Sequence, residues 1–306
     1  MGVDRHEPLV SILSPVYNEE LYLGRMLASV VEQDYPKWEL LIADDGSDDA
    51  TAALAEEWAS KDPRIRLVAH GTRRGKNASM NIARAAASGD IAFLLAGDDE
   101  LPPGALRRRV ETFVDESWAN GSRTSAFFKM RTISEDSKFD GLVLPKGRAS
   151  SRSGSSPTYT RALMEWIFPI PESLPSEDLW IGFLAEHLAD RVHLSTSVGW
   201  LYRIHLGNSH PRHRSFTQMS AAIADRMRVW DELQKATHLP LPEGARRQIS
   251  INRELERLRS EGRPLAMVLR GPGRLVDRLG NAAMSRPALF RVRMRFYRVF
   301  TGLRGA

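Results

Sequence analysis

The stretch VSILSPVYNEELYLGRMLASVVEQDYPKWELLIADDGSDDAT, residues 10–51, decides the fold of this 306-residue chain. Short apolar runs at 9–14 and 38–43 are bounded by polar or turn residues, which is typical of buried strands. Apolar residues recur at helical spacing between the two runs. These residues are Leu23, Met26, Leu27, Val30 and Val31. A strand, a helix and a second strand in succession predict a parallel pair joined by a right-handed crossover.

The same alternation continues beyond this stretch. Apolar runs at 65–70 and 91–96 predict two more strands. A helix is predicted before each of them, the first capped by Ser47 or Asp48. We therefore predict an α/β fold with a mostly parallel sheet flanked by helices.

Beyond residue 116 the pattern weakens. It predicts a strand at 126–133, a helix at 177–189 and a strand from 198 that runs into a polar loop. The Ser/Gly/Arg-rich residues 146–158, which we call the serine-rich segment, have the composition of a mobile loop. From Phe216 onward the chain is predicted to be mainly helical, with breaks at 240–242 and 270–274.

Composition limits the class of protein. A hydrophobic share of 42% and a charged share of 26% are typical of a globular protein, and the chain has no cysteine. The net charge is +5, but residues 261–306 hold ten Arg against one Glu and one Asp, so the rest of the chain is net acidic. We expect no signal peptide and no membrane-spanning helix. No recognition motif supports nucleic-acid binding through the arginines.

Polar side chains follow every one of the first four predicted strands. In an open parallel sheet the carboxyl ends of the strands form the ligand crevice, so we expect these side chains to meet there. Carboxylates beside Arg and Lys are typical of a divalent ion, Mg²⁺ or Mn²⁺, that bridges to a diphosphate. Neither a dinucleotide fingerprint nor a P-loop occurs, so a glycine cradle for phosphate is excluded. The groups are Pro15, Tyr17, Asn18 and Glu19, then Asp44 and Asp45, then Arg74 and Lys76, then Asp98 and Asp99.

Five motifs together resemble the family 2 glycosyltransferases, which have the GT-A (Rossmann-like) fold. The resemblance runs from about Val10 to Leu106 and is carried by PVYNEE, QDYP, ADDGSDD, RRGKNASMNIA and AGDDELPP. It implies a GT-A catalytic domain over 1–214, with a nucleotide-sugar half at 1–110 and an acceptor half at 111–214. The Arg-rich region 215–306 is predicted to be a helical extension.

The resemblance also implies roles for individual residues. Pro15, Tyr17, Asn18 and Glu19 match positions near the base and ribose, and Asp45 matches the carboxylate that contacts the base. Lys76 with Arg74 matches the basic region after the third strand.

The fourth strand end departs from the family pattern. Asp98 matches the metal ligand, but Ala96 stands where the family commonly has the first Asp of a D-x-D motif. Asp99 is the candidate to substitute for that missing carboxylate.

Later motifs resemble the family more locally. The sequence SEDLW, 176–180, resembles the motif that supplies the catalytic base, so Asp178 is the first candidate and Glu177 the second. In YRIHLGNSH, 202–210, Arg203 is predicted to bind phosphate and His205 to complete the metal shell.

The resemblance implies inverting transfer of a sugar from a UDP- or GDP-sugar to a hydroxyl of a glycan or a lipid-linked acceptor, with Mn²⁺ or Mg²⁺. It also implies a bacterial, cytoplasmic enzyme of cell-envelope polysaccharide synthesis at the inner membrane face. Two other functions are weighed: a non-catalytic GT-A module, which Ala96 favours, and a sugar nucleotidyltransferase, which lacks its usual Gly-rich loop here.

Simpler interpretations of the same residues stay open. Asp44 and Asp45 are also good helix-cap residues, and Asp98 with Asp99 also suit an ordinary turn. Residues 286–304 form a basic amphipathic stripe suited to peripheral contact with an anionic membrane. Alternatively, its apolar face packs onto the catalytic domain.

Overall fold

The computed structural model describes residues 7–113, 121–205 and 215–300, with side chains as far as Met294. The chain forms two compact units, residues 1–205 and residues 206–306. The first holds the whole sheet and the second is helical. The predicted boundary after residue 214 falls among residues that the structure does not describe.

An eight-stranded sheet forms the framework of the first unit. Its order is β3-β2-β1-β4-β7-β5-β6, and β8 pairs with β5. The strands are β1 Val10–Val16, β2 Trp38–Asp44, β3 Ile65–Ala69, β4 Ile91–Leu94, β5 Thr124–Ser134, β6 Val143–Leu144, β7 Thr158–Thr160 and β8 Arg191–Ile204.

Parallel pairing joins β1 to β2 and β4, β2 to β3, and β5 to β8. The short strand β7 lies antiparallel between β4 and β5, and β6 is also antiparallel to β5. The mostly parallel sheet predicted from the sequence is thus present. The two antiparallel strands β6 and β7 were not predicted.

Burial explains why the central strands form. Every residue of β1 and β2 is buried, including both sets of alternating side chains. Since successive side chains of a strand point to opposite faces, both faces of the sheet centre are covered. The described residues of this unit form the helices α1 Leu23–Val31, α2 Thr51–Lys61, α3 Lys76–Ala85, α4 Ala105–Glu111, α5 Arg161–Ile167 and α6 Asp178–His187.

The start of α2 differs from the prediction. Neither Ser47 nor Asp48 caps it; the Asp49 carboxylate accepts a hydrogen bond from the Thr51 amide at 2.9 Å. Ser47 is instead held in a turn, where Asp44 accepts bonds from its amide and its hydroxyl. The turn delays the helix by a few residues.

Much of the serine-rich segment is packed inside the unit, in contrast to the predicted mobile loop, although residues 146–149 are exposed. Ser155 and Ser156 are buried at its centre. The guanidinium of Arg109, which is fully buried, donates to both of their carbonyl oxygens and to the Thr158 hydroxyl. Burial lowers the pKa of Arg109 to about 9, so the group is still protonated at neutral pH. A buried cation therefore organises this polar segment.

The second unit contains α7 Phe216–Met227, α8 Val229–Lys235, α9 Glu243–Ser260, α10 Pro264–Arg270, α11 Leu275–Ala282 and α12 Pro287–Phe300. Its breaks near 240–242 and 270–274 agree with the prediction. Leu255 and Leu258 of α9 pack with Met267 and Ala282 in a small core. Among the described helices, none has the length and apolar character needed to cross a bilayer.

Candidate active site

The loops after β1 and β2 interlock. Asn18 has a positive φ of 54°, its amide donates to the Ser47 hydroxyl at 2.9 Å, and its side-chain oxygen accepts from the Asp48 amide at 3.1 Å. The Glu19 amide donates to the Thr51 hydroxyl at 2.7 Å. Asn18 was predicted to bind the nucleotide sugar. The structure gives it turn contacts that hold the neighbouring Glu19 in place.

Asp45 connects the end of β2 to the basic loop before α3. One of its carboxylate oxygens accepts from the amides of Arg74 at 2.7 Å and Gly75 at 2.8 Å, and from the Ser79 hydroxyl at 3.1 Å. Gly46 has φ 74°, and a Cβ there would lie 2.6 Å from the Arg73 amide nitrogen. This close approach requires glycine. Asp45 therefore positions Arg74 and its neighbours instead of capping α2.

Tyr17 contacts Arg73, one of the basic residues that follow β3. The Arg73 guanidinium lies over the Tyr17 ring, 4.1 Å from its centroid, and donates to the phenol oxygen at 2.8 Å. The two residues are 56 positions apart, so no local pattern signals the contact. Pro15 is buried within β1, beside Ala43 of β2.

Lys76 and Glu177 form an ion pair at the first turn of α3. The ammonium nitrogen lies 2.9 Å from one carboxylate oxygen, and the Glu177 side chain is only 8% exposed whereas that of Lys76 is 52% exposed. The second oxygen of Glu177 is buried and has no hydrogen-bond partner among the described residues. Burial alone would lower the pKa of Lys76, but the charges of Glu177, Asp178 and Asp98 outweigh it and raise that pKa.

Asp178 is the first residue of α6. One of its carboxylate oxygens accepts from the Ser176 hydroxyl at 3.0 Å and from the Leu179 amide at 2.8 Å. These bonds orient the carboxylate. A helix N-terminus also favours a negative charge at this position.

Asp98 and His205 meet at the end of β4. A ring nitrogen of His205 lies 3.1 Å from a carboxylate oxygen of Asp98, and the imidazole packs 4.7 Å from the Tyr22 ring, measured between ring centroids. Glu19 is close by, since a Cβ on Gly97 would lie 2.9 Å from its Cγ. Burial, followed by the charges of Asp98 and Asp49, raises the pKa of Glu19 to about 8, although Lys76 opposes the shift.

Asp99 and Arg203, both predicted to bind the nucleotide sugar, also make contacts within the protein. Asp99 is 3% exposed, and its two oxygens accept from the Arg203 amide at 3.1 Å and from the Ser155 hydroxyl at 3.4 Å. Burial, and then the charge of Asp98, raises the pKa of Asp99 well above its ordinary value. The side chain of Arg203 pairs with Glu100 and donates to the Asp98 carbonyl oxygen at 3.0 Å. Both residues therefore fix β8 beside the loop that carries Asp98.

The residues at this loop fit a divalent ion in part. A carboxylate and an imidazole, the donors of Asp98 and His205, are both accepted by Mn²⁺ and similar ions. Within the described ranges, no group of three or more His, Asp or Glu residues could form a complete metal cage. Two protein ligands leave positions open for diphosphate oxygens, as is usual when an ion is bound together with a phosphorylated substrate.

The structure thus gathers five charged residues from three loops and the starts of two helices. They are Glu19, Lys76, Asp98, Glu177 and Asp178. The charges of Asp98 and Lys76 act on Glu19, and those of Asp98, Glu177 and Asp178 act on Lys76, which places the set within electrostatic range. Carboxylates around one cation can bind an ion, hold a phosphate and accept a proton from a hydroxyl.

Comparison with known proteins identifies the family of this chain. The sequence model of glycosyl transferase family 2 matches residues 11–164, half of the chain. A GalNAc(5)-diNAcBac-PP-undecaprenol beta-1,3-glucosyltransferase of Campylobacter jejuni is 27% identical over 146 residues, which are 47% of this chain and 46% of that protein. The chain spans about half the length of the curated relatives that it matches.

Two solved structures are similar in fold. Residues 1–349 of Staphylococcus aureus TarS, in complex with UDP-GlcNAc, give a TM-score of 0.61 at 20% identity, covering 93% of this chain and 83% of that one. The mannosyltransferase PcManGT of Pyrobaculum calidifontis, in complex with GDP-Man and Mn²⁺, gives a TM-score of 0.59 at 17% identity, covering 97% of this chain and 82% of that one. These likenesses confirm the predicted GT-A type of fold.

Proposed function

The chain belongs to glycosyl transferase family 2, and we propose that it transfers a sugar, with inversion, from a nucleoside-diphosphate sugar to a hydroxyl of its acceptor. The observation that carries the proposal is the meeting of Asp98 with His205 beside Lys76, Glu177 and Asp178. Asp98, His205 and Lys76 are suited to the diphosphate. Asp178 is suited to the attacking hydroxyl.

A UDP- or GDP-sugar is the proposed donor. TarS and PcManGT, which share the fold, were solved with UDP-GlcNAc and GDP-Man respectively. In this chain Tyr17 and Asp45 are the proposed contacts to the base, and Glu19 is the proposed contact to the ribose. The proposed acceptor is a glycan or a lipid-linked sugar, as the name of the Campylobacter relative indicates for that protein.

The proposed reaction is a single displacement. The acceptor hydroxyl attacks the anomeric carbon while its proton passes to the Asp178 carboxylate. As the new C–O bond forms, the bond to the donor phosphate breaks on the opposite face, and the nucleoside diphosphate leaves with the electron pair. No covalent enzyme intermediate is needed, so the configuration at the anomeric carbon inverts.

Negative charge develops on the departing diphosphate and must be balanced. Lys76, half exposed at the start of α3, is the proposed cation on the protein side, and Glu177 holds its ammonium group in place. A divalent ion bound by Asp98 and His205 would neutralise the same charge as a Lewis acid. Glu177, the second candidate for the base, is already paired with Lys76 and is therefore assigned a positioning role.

Calorimetric titration of the purified chain with UDP and GDP, with and without Mn²⁺, tests the proposal. We expect one nucleotide to bind in a Mn²⁺-dependent manner and Asp98→Asn to weaken it. Asp178→Asn should leave binding unchanged and abolish transfer. If both variants keep wild-type transfer rates, the assignment is wrong. If no nucleotide binds, the non-catalytic module becomes the better interpretation.

The cytoplasmic, membrane-peripheral location stays a prediction. Of the segment 286–304 on which it rests, the side chains beyond Met294 lie outside the described residues.

A further inference from the structure

The helices α10 and α11 have two apolar sides. One side is internal: Met267 and Ala282 are buried with Leu255 and Leu258 in the core of the second unit. The other side carries leucine and valine side chains that contribute nothing to that core. A short helix with apolar residues on both sides needs a second apolar environment for the outer one.

The outer side is strongly exposed. Its side chains occupy one short stretch of sequence at helical spacing, and we call them the α10–α11 surface. They are Leu265 at 75%, Leu269 at 75%, Leu275 at 53%, Val276 at 66% and Leu279 at 50%. Leu289 and Val292 of α12 are also exposed, at 36% and 51%. Scattered exposed apolar residues are ordinary, but such a concentration marks an interaction surface.

Positive charge accompanies the exposed leucines. Residues 262–294 contain seven Arg and a single acidic residue, Asp277. Asp277 is bound to Arg274, whose guanidinium lies 2.9 Å from its carboxylate. Arg270, Arg286 and Arg291 are exposed. A partner that covers these leucines must therefore offer an apolar region for the leucines and negative charge next to it for the arginines.

We propose that the α10–α11 surface binds the face of an anionic lipid bilayer. Leucine side chains would enter the boundary between headgroups and acyl chains, and arginines would extend their guanidinium groups to lipid phosphates. A second copy of this chain fits less well, because pairing the same surface twice brings arginines against arginines. The inference does not depend on transferase activity. It places membrane contact on α10 and α11, upstream of the segment 286–304 indicated by the sequence.

Flotation of the full chain with vesicles tests the proposal. We expect binding to phosphatidylcholine vesicles that contain about a third phosphatidylglycerol, and little binding to phosphatidylcholine alone. The double variant Leu265→Gln/Leu269→Gln should bind at least tenfold more weakly. Arg270→Gln should weaken binding roughly fivefold, and added salt should weaken binding of the wild-type chain in the same way.

A matched control separates this surface from general stickiness. Leu194 of β8 is 53% exposed, like Leu275, and Leu194→Gln should bind vesicles as the wild type does. All variants alter exposed positions, so their thermal melting should be unchanged. Equal binding of wild type and the Leu265/Leu269 variant would overturn the proposal. The proposal would also be overturned if the wild-type chain formed an oligomer without lipid and the Leu265/Leu269 variant were monomeric. The α10–α11 surface would then be a protein–protein interface.

Discussion

Replacing Glu19 with Gln should stabilise the ligand-free protein, by an amount that depends on pH. Burial, with Asp98 and Asp49, raises the pKa of this carboxyl from 4.5 to about 8. The folded state therefore holds the proton more tightly than the unfolded state does. Glu19 does not disfavour folding below pH 4.5, and its unfavourable contribution grows as the pH rises from 4.5 to 8. Gln is uncharged and nearly isosteric, so it removes the contribution.

The size follows from the shift. One pKa unit corresponds to about 1.4 kcal/mol, so a fully desolvated carboxyl with this pKa would destabilise the fold by about 3 kcal/mol at pH 7. Glu19 is half-buried, and solvent screening reduces the expected gain from Glu19→Gln to about 1–2 kcal/mol. For a domain of this size that is a rise in Tm of roughly 5 °C. At pH 5 the gain should fall below about 1 kcal/mol.

Thermal melts of Glu19→Gln at pH 5, 7 and 8 would measure the effect. Glu32→Gln, at an exposed carboxyl after the end of α1, is the control and should show no such dependence on pH. Nucleoside diphosphate binding should weaken in Glu19→Gln even as stability rises, because the proposed ribose contact changes. An equal Tm change at pH 5 and 8, or none relative to the control, would refute the electrostatic reasoning.

Three further predictions follow from the contacts. Asp178→Asn should lower kcat by about 10²–10⁴-fold, because Asp178 is the proposed base. Glu177→Gln should lower kcat less than about tenfold, because Glu177 is proposed only to position Lys76. Steady-state transfer assays measure both effects. Gly97→Ala places a Cβ 2.9 Å from the Glu19 Cγ and should weaken nucleotide binding in calorimetry, with a loss of about 1–3 kcal/mol in chemical denaturation. Arg109→Met should destabilise the fold by about 2–4 kcal/mol and expose the serine-rich segment to limited proteolysis, because buried carbonyl oxygens lose their donor.

The central sheet was predictable because its signals are local. Apolar runs of β1 to β4 alternate with helical patterns, and burial of both faces of β1 and β4 leaves those two strands without charged residues. The strand β7 has only three residues, Thr158–Thr160, inside a polar stretch, and it forms because β4 and β5 offer unpaired edges. Pairing of that kind is set by tertiary context, which the sequence pattern does not contain.

The serine-rich segment shows the same limit. Three consecutive arginines, 107–109, look alike in the sequence, but only Arg109 among them is buried. Its position on α4 directs the guanidinium to carbonyl oxygens near Ser155, far away in the chain. Composition predicted mobility for this segment because serine and glycine are frequent in flexible loops, and no local signal reveals a buried donor.

The candidate site was predictable as a region, but most of its individual contacts were not. The resemblance assigned Asp98 and His205 to one metal site, and these two side chains do meet, but no local pattern showed where the neighbouring Asp99 would point. The backbone of the loop decides: Asp98 lies by the imidazole, and Asp99 turns inward to the Arg203 amide. Ala96 lacks a carboxylate in the same loop, and the oxygens of Asp99, the candidate substitute, accept hydrogen bonds from Ser155 and Arg203.

Hydrogen bonds between the loops after β1, β2 and β3 hold the candidate site in place without a ligand. The loops after β1, β2 and β3 are joined through Asn18, Ser47 and Asp45, so the proposed base and ribose contacts are fixed before a ligand arrives. Preorganised groups lose little freedom on binding, which favours affinity for the donor. A third carboxylate near Glu19 and Asp98 would add like charge where the pKa of Glu19 is already raised to about 8. The absence of an acid at Ala96 would therefore reduce repulsion of the proposed diphosphate and would leave its neutralisation to Lys76 and to the divalent ion proposed at Asp98 and His205.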